Sequence, residues 1–210
     1  MLRRIAACCL LAFVLLTGTA AGARRQAIPG TDPEFGPYYA GQLLVAAPSM
    51  QDPRFAETVI YLADHDSHGA FGFIVNRPIG DGPLKEFMAG LGLHPDATVT
   101  GDVQLFAGGP VDPGAGFVLH SSEYHIDGTA MVRGPVAVTA NPAVLSDIGL
   151  GKGPRHRRLF LGYTGWGPGQ LENELRRGDW NIAPYDEGIV FDDAIKTKWS
   201  RAHAAIGVPL

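Results

Sequence analysis

Histidine, aspartate and serine crowd into two short stretches of this chain, and chemistry would be sought there first. Asp64-His65-Asp66-Ser67-His68 holds four potential metal ligands within five residues. In an extended segment residues 64, 66 and 68 project to one side. Zinc or another divalent ion could use the stretch, with Asp64, His65 and His68 as candidate ligands. The same residue types also build polar turns. A structural zinc site needs four ligands, and no second pair follows downstream. No metal and no other cofactor is therefore expected. The second stretch is His120-Ser121-Ser122-Glu123 with His125. Serine, histidine and an acid are the raw material of acyl transfer. Neither G-x-S-x-G nor S-x-x-K accompanies them, so a loop is favoured over a catalytic triad.

Glycine loops offer a different chemistry. Gly108-Gly109-Pro110-Val111 follows one strand, and Gly165 to Gly169 joins a strand to a helix. Backbone amides in such places can cradle an anion. The spacing matches no nucleotide-binding motif. Glu172 and Glu174, early in the following helix, already complement its dipole and would repel a phosphate. Close packing of turns on a sheet is the favoured reading.

Recognition by polar loops remains. The apolar run Leu159 to Tyr163 empties into a glycine-rich turn holding Trp166, either a wedge into the core or a platform for a partner. Asn76 and Arg77 end a strand at Pro78, where they could bind a ligand or tie the turn. The favoured surface joins Pro48 to Phe55, Asn76 to Pro78 and Gly165 to Gln170. Its candidate contacts are Pro48, Ser49, Asp52, Asn76, Arg77, Gly165, Trp166 and Gln170. Polar and glycine-rich loops at strand ends are where sites are usually placed.

Short elements must position these loops. Strands are expected at Gly41 to Ala47, Thr58 to Ala63, Phe71 to Val75, Val103 to Ala107, Gly116 to His120, Val136 to Thr139 and Arg157 to Tyr163. The second and third form a hairpin across Asp64 to Gly69, a loop longer than two residues. Helical spacing marks Leu84 to Leu91 behind Pro83, and Asn141 to Leu150 closed by Gly151. It also marks Gly169 to Arg177, and Asp192 to Ile206 as a terminal amphipathic helix. Strands and helices do not alternate strictly, so a single α+β domain with a mixed or antiparallel sheet is favoured over a doubly wound fold.

With 46% apolar residues, the 210-residue chain can bury a sizeable core. Residues 1–23 read as a signal peptide. Arg3 and Arg4 precede a 12-residue apolar run, Ile5 to Leu16, and Ala21-Gly22-Ala23 offers a small-x-small cleavage site. The run is too short to span a bilayer comfortably. Membrane contact is expected only through an uncleaved leader. Residues 24–40, rich in Pro, Gly and charge, read as a tether before a domain at 41–210. Cleavage would remove both cysteines, Cys8 and Cys9, and leave fifteen basic against 21 acidic side chains, a formal charge of −6. That excludes thiolate chemistry from the product and disfavours nucleic acid as a partner.

Dispersed motifs in a fixed order resemble the YqgE/AlgH family of bacterial proteins. They are Pro48-Ser49, Asp52-Pro53-x-Phe55, Val59-x-Tyr61, His65, Gly69-Ala70-x-Gly72 and Asn76-x-Pro78. Gly108-Gly109-Pro110-Val111, Gly116 to His120 and Gly162-Tyr163 follow. Gly165-Trp166, Gly169-Gln170-Leu171-Glu172-x-Glu174 and Trp180 complete the set. The resemblance spans residues 41 to 207. It implies an α+β fold with coiled, branching sheets flanked by helices, and it leaves the activity open. One family member is associated with alginate production and described as a transcriptional regulator. Most members begin near the position of Gly41 and are cytoplasmic, so the leader is a departure.

These readings together favour an exported, periplasmic domain that binds a protein or small ligand rather than catalysing a reaction. A hydrolase-like or metal-dependent enzyme built on His65, His68 or His120 is the alternative, and a transcriptional regulator the third. N-terminal sequencing of native material is expected to give a chain trimmed near Ala23. An intact Met1 in the soluble cytoplasmic fraction would overturn that expectation.

Overall fold

The computed structural model describes residues 38–207. The signal peptide and all but the last three residues of the tether lie outside this range. Among the described residues, ten strands form one curled, largely antiparallel sheet, and five short helices pack on it. The architecture is α+β and strand-dominated.

The main path of the sheet begins with β10 (Trp180–Ala183), β1 (Leu43–Ala46), β2 (Val59–Asp66) and β3 (Gly69–Ile74). It continues through β9 (Arg157–Trp166), β6 (Val111–Ser121), β8 (Val136–Thr139) and β7 (Thr129–Met131). A branch leaves this path at β9, where β5 (Asp102–Ala107) pairs in parallel and carries β4 (Pro78–Pro83) on its far side. All other pairings are antiparallel, so the sheet is mixed by one contact.

β1 and β2 bury both faces, which is why they read as continuous apolar runs rather than alternating ones. Leu43, Val45, Val59 and Tyr61 join the core under α4 (Glu187–Phe191) and α5 (Lys198–Ala204). Leu44, Ala46, Ile60 and Leu62 face α3 (Gln170–Arg177) together with Trp166, Leu171 and Trp180. A third cluster lies under α1 (Leu84–Gly90) and α2 (Ala143–Gly149).

The branch depends on glycine. Gly162 has φ +69°, and a Cβ there would lie 2.7 Å from the Gly109 carbonyl oxygen and 2.9 Å from that of Val111. Gly108 and Gly109 approach β9 as closely from the other side. Backbone crosses backbone here, with no room for a side chain.

Several expected elements differ. The β2–β3 hairpin turns in two residues, Ser67 and His68, because the strands run on through the polar residues. β9 likewise continues through the glycines to Trp166, so Gly165 and Trp166 lie in a strand rather than a loop. β4, β7 and β10 were not apparent from pattern. β4 reads Pro-Ile-Gly-Asp-Gly-Pro, a turn-like composition tolerated because the strand is an edge.

The expected terminal helix is broken into a 3-10 turn, Ile195–Thr197, and α5. Its proposed start, Asp192, is extended and serves instead as an anchor. Asp192 accepts hydrogen bonds from Lys198 Nζ and Arg201. The fully buried Lys198 ammonium also donates to the Gly188 and Ile189 carbonyls, and burial pushes its pKa down to about 8. Arg158, 4% exposed, donates to the Val190, Phe191 and Asp192 carbonyls and stacks 4.6 Å over the Phe106 ring. Two buried cations thus satisfy the open carbonyls at the end of α4.

Gly162→Ala is expected to cost about 3 kcal/mol or more, or to prevent folding, since both the left-handed backbone and the crossing must give way. Urea denaturation measures it. A loss under about 1 kcal/mol would mean that the crossing strands slide apart freely.

Candidate functional site

A polar groove of roughly 370 Å³ opens where β9 ends. Thr164, Gly165, Trp166 and Trp180 form its floor. One wall is the loop carrying Met50, Asp52, Arg54 and Phe55, and the other is α3 with Gln170, Glu174 and Arg177. Pro110 and Val111 close one end.

Local sequence explains α3. It starts after Gly169 at φ +71° and stops at Gly178 at φ +77°, each in the left-handed region that glycine adopts without strain. The Gln170 side chain turns back to accept from the Gly167 amide at 3.1 Å. Leu171 drives the helix onto the sheet.

Glu174 organises the floor. Its Oε2 accepts from both indole nitrogens, Trp166 Nε1 at 2.8 Å and Trp180 Nε1 at 2.9 Å. Its Oε1 accepts from Gln170 Nε2 at 3.0 Å. The indoles meet edge to face with centroids 6.2 Å apart, and Phe55 packs edge-on to Trp180. A carboxylate with three donors is fully engaged, and it fixes both rings. On the rims, Arg54 pairs with Asp52 and Arg177 with Asp179, both at 2.6 Å. The hydrogen bonds from Arg54 hold the Asp52 carboxyl below its ordinary range. Both guanidiniums are more than half exposed and keep donors free for a ligand.

Of the residues expected to make contacts, Asp52, Gly165, Trp166 and Gln170 meet in this groove. Trp166 is 7% exposed and belongs to the core, so it acts as a floor rather than a projecting platform. Pro48 and Ser49 lie in an exposed turn outside the lining. Asn76 and Arg77 tie a turn. Asn76 accepts from the Val59 amide and donates to the Glu57 carbonyl, where φ is +55°. Arg77 donates to the Ala56 carbonyl at 3.0 Å. They brace the loop that supplies Asp52, Arg54 and Phe55. Sequence reading missed Arg54, Glu174, Arg177 and Trp180 as groove residues. The i, i+4 spacing of Gln170 and Glu174 was the available signal.

The histidines do not converge. A register shift between Leu62 and Asp64 changes the strand's parity, so His65 rather than Asp64 follows Ile60 and Leu62 inward. His65 is 4% exposed, while Asp64, Asp66 and His68 lie outside. His68 folds back onto Asp66 across the turn. Asp64, Asp66 and His68 thus share the solvent side, while His65 is turned away from them. Among the described residues no three His, Cys, Asp or Glu side chains cluster as a metal site.

His120 is fully buried beside Tyr124, and burial lowers its pKa. Its neighbour Ser121 donates to Glu123, whose carboxyl the Arg155 amide pulls down to about 2. His65 pairs with Ala70, which pairs with Trp166, whereas His120 pairs with Arg157. Nine residues of β9 separate those registers, roughly 30 Å of strand. The two imidazoles cannot share a substrate.

Glu174→Ala strands two buried indole N–H groups and is expected to cost about 2–4 kcal/mol, with Glu174→Gln costing less because one acceptor oxygen remains. Thermal denaturation and near-ultraviolet circular dichroism would register both. Equal losses in the two variants would contradict the shared-acceptor account.

The AlgH-like family model (DUF179) matches residues 43–210. A UPF0301 protein of Rhodospirillum rubrum is 42% identical over 171 residues, covering 81% of this chain and 88% of its own. One from Methylococcus capsulatus is 42% identical over 171 residues, covering 81% and 93%. The solution structure of AlgH from Pseudomonas aeruginosa superposes with a TM-score of 0.69 at 36% identity, covering 89% of this chain and 94% of that one. Sequence match and superposed fold both extend over nearly the whole described domain, and the chain belongs to the AlgH-like (UPF0301) family.

Proposed function

We propose that this AlgH-like chain is a binding domain that recognises a small polar ligand, or a polar segment of a partner protein, in the groove between the 50–55 loop and α3. The observation that carries the reading is the convergence of Asp52, Gly165, Trp166 and Gln170 on a groove whose floor is fixed by Glu174. A prearranged floor with exposed guanidinium donors at its rims suits recognition, because little ordering remains to be done on binding. Export belongs to the same reading and is supported by the leader pattern of Arg3, Arg4, Ile5 to Leu16 and Ala21-Gly22-Ala23.

The enzymatic reading has less support, since His65 and His120 lie at opposite ends of β9. The regulator reading would draw on the basic run Lys152, Arg155, Arg157 and Arg158. Arg158 is buried against α4 and Arg155 pairs with Glu123. Lys152, Arg155 and Arg157 stay exposed, but they belong to a net negative chain, which disfavours phosphate contact.

Two indoles, Trp166 and Trp180, line the groove, so intrinsic fluorescence serves as the assay. A panel of amino acids, dicarboxylates, sugar phosphates and short polar peptides is expected to contain a saturable binder. Arg177→Ala and Asp52→Ala should each weaken it about tenfold, in line with loss of a charge-assisted contact. Binding unchanged in both variants would put recognition elsewhere. Ester hydrolysis that disappears in His120→Ala would favour the enzyme.

A further inference from the structure

His65 holds two separate parts of the chain through its two ring nitrogens. The Tyr39 amide donates to Nδ1 at 3.1 Å, so Nδ1 carries no proton. The Glu172 carboxylate faces Nε2 at 3.1 Å, so Nε2 carries it. The neutral ring in that one tautomer satisfies both partners. Tyr38 packs edge-on to the ring with centroids 5.2 Å apart, and Tyr39 lies tilted at 5.7 Å. The side chain itself is shut off from solvent, whereas Glu172 is about one third exposed.

The groups facing His65 come from three sides. The arm at residues 38–42 brings the two tyrosines and the Tyr39 amide. α3 brings Glu172. β3 brings Ala70, which carries no charge. Asp64 and Asp66, its neighbours on β2, point the other way into solvent. Glu172 is thus the one carboxylate in hydrogen-bond contact with the ring among the described residues.

We propose that His65 is a proton-operated latch on the N-terminal arm. A proton added at Nδ1 has opposite effects on the two partners. The Nε2–H to Glu172 contact becomes a full ion pair and tightens. The Nδ1 position becomes a donor facing another donor, the Tyr39 N–H, and that contact is lost. The arm is the side that yields. Among the described residues its other backbone bonds run from Gly41 N–H to the Leu62 carbonyl, from Leu62 N–H to the Gln42 carbonyl and from Gln42 N–H to the Tyr39 carbonyl, and none of them ties residues 38–40 to the sheet. Release also lets water reach both stranded donors. Acidification therefore frees residues 38–40 while α3, and with it the groove wall, stays fastened to β2. The inference concerns the arm and does not rest on the groove binding anything.

The test uses the whole chain. Nitrogen-15 spectra from pH 8 to pH 4.5 follow the His65 ring and the Tyr39 amide together. As the ring takes its second proton, Tyr39 amide exchange, corrected for its intrinsic pH dependence, should rise about five- to tenfold, the loss of one net hydrogen bond. Chymotryptic cleavage at Tyr38 and Tyr39, normalised to an unstructured peptide at each pH, should rise in parallel. In His65→Phe, cleavage should be high and independent of pH. If the ring is protonated and Tyr39 stays protected, the latch is wrong. If the ring stays neutral down to pH 4.5, it is equally wrong.

Discussion

One strand, β9, carries both the main path of the sheet and its branch, and the crossing of bare backbone at Gly162 makes that possible. On the N-terminal side of the glycine β9 is flanked by β5 and β6. Beyond it, β3 takes the place of β5. A side chain at this point would force the strands apart, because the atoms it would meet are carbonyl oxygens of the chain itself rather than movable side chains. The branch sends β4 and β5 toward α1 and α2, and leaves the last residues of β9 free to floor the groove. Groove and branch are thus consequences of the same contact.

Two polar networks stabilise the ends of the molecule, and they differ in kind. Around α4, Arg158 and Lys198 are buried cations, and their desolvation is offset by hydrogen bonds to the carbonyls of Ile189, Val190 and Phe191 at the helix end. Such a network fixes a chain path. In the groove the ionic groups sit on the rim, and the buried members are neutral indoles satisfied by one partly exposed carboxylate. Exposed ion pairs contribute little to stability and exchange partners readily. The first arrangement closes the fold, while the second leaves ionic groups available at a surface.

Much of the fold was legible in the residues. The apolar runs of β1, β2 and β9, the Pro83 start of α1 and the glycine boundaries of α3 follow from local chemistry. Edge strands such as β4 were not, because their glycines and prolines are tolerated only by virtue of having one neighbour. Nor was the inward turn of His65. It depends on a one-residue register shift that arises in pairing with β3, and alternation along a single strand cannot reveal it. The groove was half legible. Asp52, Gly165, Trp166 and Gln170 carry polar or turn signals. Glu174 and Arg177 read as ordinary surface charges until Trp180 is seen to lie beside Trp166.

The pairing of β1 with β10 has a consequence in time. β1 is the first strand of the domain to be synthesised, and β10 is the last. Until the ribosome has delivered nearly the entire chain, the outer edge of β1 has no partner and its apolar residues have no complete cover. Topologies governed by such distant contacts fold slowly compared with those that close locally. The sheet is accordingly completed late, when β10 closes the edge that β1 has held open.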